Sequence, residues 1–227
     1  MLDTWYQYSL ILLISLSFLV GIFSLWKNPK SFTVWVWFLF TMTIVYVNVN
    51  FLVSLRTTGD LALLYSRLLH VGIPFISSFL FHFTLAFLYK NILLNYKLIL
   101  RVIYSLAVLF AVLAFTPGII KGVSTGGILP TTVVIGPLYP FLLIYIWTLS
   151  IWAIYLLFKE YRGREGAMRR QTFYILLGIS VVFIGSISNY WPHLFGIYPY
   201  GNFFMWTFPL FITYGVFIEE FEIRIKF

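Results

Sequence analysis

The chain has 227 residues, of which 61% are hydrophobic, 22% aromatic and only 10% charged. A soluble domain carries about 25% charged residues, so soluble globular, disordered and collagen-like classes are excluded. There is no cysteine, which excludes a disulfide framework, a thiolate metal site, an iron–sulfur cluster and covalently attached haem.

A bilayer core about 30 Å thick needs about 20 mostly apolar residues per helix. Seven stretches meet that requirement: 5–26, 32–55, 68–89, 98–116, 138–158, 172–191 and 203–219. They are long and uniformly apolar, unlike the alternating strands of about 10 residues that build membrane barrels. The predicted fold class is therefore an all-α bundle of seven transmembrane helices over 1–219, followed by a stub at 220–227.

The first span is too long for a cleaved signal peptide, and Asp3 stands where a basic n-region would be. Trp5, Tyr6 and Tyr8 suit one aromatic belt and Trp26 the other. Lys27-Asn28-Pro29-Lys30 turns the chain into the second span, and Arg56 to Asp60 leaves it. Lys90 to Lys97 separates the third span from the fourth. The connection 116–140 is rich in Gly and Pro, and short β-prone runs at 119–123 and 131–135 flank Ser124-Thr125-Gly126-Gly127. A short β-hairpin over the mouth of the bundle and a plain loop both fit it. A polar run at 159–171 precedes the sixth span, and Trp191 to Asn202 precedes the seventh.

Basic residues mark the cytoplasmic side of a membrane protein. With the N-terminus outside, the inner segments hold 12 of the 15 Lys and Arg residues, and the outer side only Arg56, Arg67 and Lys121. The expected orientation is N-terminus out and C-terminus in, in the cell membrane. The net charge of +8 is then a topology signal with attraction to anionic lipid, and nucleic acid is not an expected partner.

The middle of every span lacks Asp, Glu, Lys and Arg. Ion paths, proton relays and a retinal Schiff base rely on such groups. Paired carboxylates, Ser/His pairs and metal clusters are not visible, so neither an enzyme nor a cofactor is expected. Neutral polar groups remain. In the third span His70, Pro74, Ser78 and His82 recur in steps of four along one drifting stripe. Pro74 frees a carbonyl one turn earlier, which Ser77 or Ser78 can satisfy. Two histidines on one helix about 18 Å apart cannot clamp one haem iron. By depth, Asn48, Asn50, Asn189 and Asn202, one turn before Trp206, fall in the outer part of the bundle with His70, Ser77 and Tyr139. The candidate ligand-binding set is His70, Ser77, Ser78, His82, Asn48, Asn189, Asn202 and Trp206; interhelical hydrogen bonding that only fixes packing is the competing role for each.

After the last span, Phe221, Ile223, Ile225 and Phe227 alternate with Glu222, Arg224 and Lys226. As a helix, Ile218, Phe221 and Ile225 form an apolar stripe instead. The stub either docks on or continues into a cytoplasmic partner, or is an interfacial tail. Glu219, Glu220, Glu222 and Arg224 are the candidate output residues.

Several stretches together resemble the seven-helix N-terminal sensory region of bacterial and archaeal membrane histidine kinases. They are Arg67 to Pro74 followed by Phe81 to Phe87, Gly136-Pro137-Leu138-Tyr139 after the Gly/Pro loop, Arg169 to Gly178, Tyr198-Pro199-Tyr200-Gly201, and Thr213 to Ile218. The resemblance implies a sensory input module that works with cytoplasmic PAS, kinase or cyclase modules. Glu219 to Arg224 stands where that family carries an Arg-Tyr-Arg-Leu type segment, and no phosphoacceptor or ATP-binding motif is present, so the output module is expected to be missing or separate. The expected function is detection of an extracytoplasmic or membrane-borne small ligand, with a helix rearrangement passed to a cytoplasmic signalling partner. A homodimer is compatible with this. An accessory or structural membrane subunit is the alternative, followed by a transporter subunit.

Overall fold

In hydrocarbon every backbone N–H and C=O must find an internal partner, so long apolar runs fold as helices. The structure is a computed structural model that describes residues 2–89 and 96–225, without the side chains of residues 2, 3, 193 and 218–225. Its helices are α1 Leu2–Lys27, α2 Phe32–Ser54, α3 Gly59–Leu88, α4 Lys97–Leu113, α5 Tyr139–Gly163, α6 Gly166–Ser188, α7 Trp191–Phe195, α8 Asn202–Met205 and α9 Phe208–Ile225. Among the described residues, α1, α2, α3, α5 and α6 are long and apolar enough to cross a membrane. α4, with 17 residues, and the run Asn202–Phe217 are shorter apolar helices. The chain is a multi-pass membrane protein.

Local chemistry sets the helix ends. Ser31 accepts a hydrogen bond from the Val34 N–H at 3.5 Å and caps α2. α3 begins at Gly59, well before the predicted span start at 68. Asp60 and Arg67 lower the apolar average of that first stretch, but its turns are amphipathic: Ala62 and Ser66 are buried while Leu61 is exposed. Asp60 also suits the positive end of the helix dipole. The seventh predicted span is broken into α8 and α9 at Trp206 and Thr207. Pro209 has no N–H to offer the Met205 carbonyl, and it sits instead in the first turn of α9, where none is needed.

α1, α2, α3, α5 and α6 pack each on the next, α6 packs on α8 and α9, and both of these return to α1. This closes a ring, with α4 outside it against α3. The main apolar core contains Trp37, Phe40, Phe81, Phe83, Ile175 and Phe208. A hairpin covers one end of the ring. β1 Ile120–Thr125 pairs antiparallel with β2 Thr131–Ile135, Val123 opposite Val133. Gly126, at φ 82°, turns the chain between them in a conformation that few other residues adopt.

The hairpin is anchored on both sides. Ile119, Ile120 and Val133 pack with Tyr139, Leu142 and Tyr190. Leu129 joins Tyr6, Leu10 and Leu55 on the α1–α2 side. Thr131 Oγ1 donates to the Thr57 carbonyl at 3.3 Å, and Arg67 Nη2 donates to the Ile120 carbonyl at 3.5 Å.

The opposite end carries most of the basic residues. Arg164 there ties three helices together. Its Nε lies 3.5 Å from Glu160 Oε2, its Nη1 donates to Thr172 Oγ1 at 3.1 Å, and its guanidinium lies 5.5 Å from the Phe87 ring centre. Tyr89 donates to Glu160 Oε1 at 3.3 Å. Lys27 Nζ sits 4.6 Å from the centre of the Phe217 ring and so joins α1 to α9. The predicted output residues Glu219, Glu220, Glu222 and Arg224 lie on the backbone of α9, which stays helical to Ile225 rather than turning to strand. Their side chains are outside the described residues.

Candidate functional site

The ring of helices surrounds a partly open cavity of about 110 Å³ beneath the hairpin end. α2 contributes Ile44, Val47, Asn48 and Phe51; α3 contributes Leu69, His70, Ile73, Ile76, Ser77 and Leu80. α5 adds Tyr139, Ile146 and Ser150, the C-terminal part of α6 adds Val182, Phe183, Ser186 and Asn189, and Tyr190 and Met205 complete the wall. Among the described residues, no Asp, Glu, Lys or Arg lines it.

His70, 2% exposed, is the most informative group. Its Nδ1 lies 2.7 Å from the Ser66 carbonyl oxygen, one turn earlier on α3. A carbonyl only accepts, so Nδ1 carries the hydrogen, and as long as the ring is neutral Nε2 presents a lone pair. The Tyr139 hydroxyl lies 3.4 Å from that Nε2. The other lining polar groups are also oriented by backbone. Asn48 Nδ2 donates to the Ile44 carbonyl at 2.8 Å, Ser77 Oγ to that of Pro74 at 3.1 Å, and Ser186 Oγ to that of Phe183 at 2.9 Å. The serines therefore satisfy the Pro74 carbonyl, not the one a turn earlier.

Asn202 does not line the cavity; it stands one residue behind it. Asn202 Nδ2 donates to the Tyr6 hydroxyl at 2.5 Å, and that hydroxyl donates to Asn189 Oδ1 at 3.5 Å. The chain joins α8, α1 and the end of α6. Tyr6 is held edge-on by Phe51, Tyr198 and Phe203.

Other candidates face elsewhere. Ser78 Oγ is 2.7 Å from the Tyr145 hydroxyl, which donates to the Ile103 carbonyl of α4 at 2.9 Å. His82 Nδ1 pairs with the Tyr104 hydroxyl at 2.8 Å, against the Phe32 ring. Trp206 Nε1 donates to the Phe203 carbonyl at 2.9 Å, and Asn50 Nδ2 to that of Tyr46 at 2.8 Å. Steps of four overshoot a 3.6-residue turn, so from His70 to His82 the stripe rotates by about 120° and leaves the cavity for α4. Ser150, Ser186, Tyr190 and Met205 were not among the sequence candidates. Ser186 lies three residues before Asn189 on the same helix face, which was a readable signal; Met205 carried none.

Met205 has two contacts of consequence. It lines the cavity, and it packs against Gly185 so closely that a Cβ there would collide with its Cγ. Below it Gly178 faces Ile212, and Gly215 faces Ile175. Small residues let helices approach in membranes, and here they bring α6 against α8 and α9 along their length. The cavity wall is thus joined, through Met205 and the glycines of this seam, to α8 and α9.

No curated protein and no solved structure matches the chain. A family model described as the N-terminal 7TM region of histidine kinase matches residues 9–220. That match covers almost the whole chain and agrees with the helical, membrane-spanning architecture: the protein belongs to the family of N-terminal seven-transmembrane regions of histidine kinases.

Proposed function

We propose that this chain is a membrane-embedded sensory input module whose central cavity receives a small neutral ligand and whose α9 passes a helix rearrangement to a cytoplasmic signalling partner. In this reading the hairpin end faces outward, the basic end faces the cytoplasm of a cell bounded by this membrane, and the chain itself catalyses nothing. One observation carries it. Met205 lines the cavity and is also the last residue of α8, with two residues between it and α9. A ligand that favours one position of Met205 favours one arrangement of α8 and α9, which is the differential interaction a switch requires. Family membership supports a sensory role.

The experiment is hydrogen exchange on the full chain in lipid nanodiscs, with and without a panel of small neutral and charged compounds. A neutral compound should protect α3 near His70 and alter exchange in α9. If no compound binds, or if binding leaves α9 unchanged, an accessory subunit becomes the better description.

A further inference from the structure

We infer that the cavity selects an uncharged, singly hydroxylated apolar molecule, such as a phenol or short alcohol, whose hydroxyl joins the His70–Tyr139 pair. This rests on the cavity being a ligand site, as proposed above.

Three observations lead there. First, the wall is charge-free, so an ion or zwitterion would lose its hydration without a counter-charge. Second, the space of about 110 Å³ is on the scale of one small ring or a short alkyl chain, since roughly 150 Å³ holds benzene in an engineered apolar cavity. Most of the wall is Ile, Val, Leu, Phe and Met, which suits an apolar body. Third, the polar pair on α3 and α5 has a defined sense. The Ser66 carbonyl fixes the hydrogen on Nδ1, so Nε2 can only accept while the ring is neutral. The Tyr139 hydroxyl at 3.4 Å stands at the long end of a hydrogen bond to it. A ligand hydroxyl that donates to Nε2 and accepts from Tyr139 makes two well-placed bonds in place of one long one. An ether or ketone can accept from Tyr139 but cannot donate to Nε2, so it makes one bond where a hydroxyl makes two.

The test uses fluorinated probes and ¹⁹F NMR on the full chain in nanodiscs: 4-fluorophenol, 4-fluoroanisole, fluorobenzene and 4-fluorobenzoate. The expected result is saturable binding of 4-fluorophenol, about tenfold weaker binding of 4-fluoroanisole and fluorobenzene, and none of 4-fluorobenzoate. His70→Phe should bring the phenol down to the level at which fluorobenzene binds the same variant. Tyr139→Phe should weaken the phenol by a smaller factor. The probe comparison on the unmodified chain decides the matter even if a variant fails to fold. Fluorobenzene binding as tightly as 4-fluorophenol would overturn the hydroxyl preference alone. If no probe binds, both this inference and the ligand-site reading fall. Phenol binding that leaves α9 exchange unchanged sustains the inference and overturns the sensory reading.

Discussion

The Ser66 carbonyl oxygen and His70 Nδ1, one helical turn apart on α3, are 2.7 Å from each other. That bond decides which nitrogen of a buried imidazole carries the hydrogen and which is left to meet Tyr139. We predict a pyridine-type ¹⁵N shift for His70 Nε2 and a pyrrole-type shift for Nδ1. The reverse pattern would place the donor toward the cavity and exchange the roles of the ring nitrogens.

The Tyr6 hydroxyl joins the buried amide of Asn202 to the half-buried amide of Asn189 at the hairpin end. Tyr6→Phe keeps the ring among Phe51, Tyr198 and Phe203 but removes both bonds. Leaving buried polar groups unpaired costs about 1–3 kcal/mol, and this loss should appear as a lower unfolding midpoint in detergent. An unchanged midpoint would show that water replaces the hydroxyl at no cost.

Gly185 and Gly163 give opposite signs. Gly185→Val forces a branched side chain into Met205 and the Gly201 carbonyl, and overpacking of this kind costs about 1–3 kcal/mol. Gly163 has nothing within 4 Å of a built Cβ and ends α5, so Gly163→Ala should be neutral or stabilise by up to about 1 kcal/mol. Thermal unfolding of both variants checks the contrast.

The proposed orientation rests on the distribution of charge, and the cysteine-free chain makes it simple to test. Ser124→Cys in the hairpin should react with an impermeant maleimide on intact cells, and Glu165→Cys only after the membrane is opened. The opposite pattern would invert the bundle.

Much of the fold is legible in the sequence because a membrane demands length and apolarity that few other structures need. The short hairpin is legible in its turn chemistry, with Gly126 at the turn between two β-prone runs. The early start of α3 is not, because its first turns are amphipathic and an apolar window averages them away. The break at Trp206 is legible only through Pro209. Within the site, Asn48, His70, Ser77, Tyr139 and Asn189 stand out as polar groups at one depth, and the structure places all five around one cavity. Ser78 and His82 share their stripe but not their direction, because depth is set by sequence distance and direction by accumulated rotation. Asn202 is read at the right depth, yet its amide is taken by Tyr6, a partner 196 residues away that no local pattern reveals.

The central claim is that occupancy of this cavity moves α9. It is tested most directly by the distance between spin labels on Phe158→Cys of α5 and Tyr214→Cys of α9, both exposed positions, in nanodiscs with and without saturating 4-fluorophenol. A shifted distance distribution on binding, which needs about tenfold more 4-fluorophenol in His70→Phe, is the predicted result. Identical distributions at demonstrated saturation would contradict it.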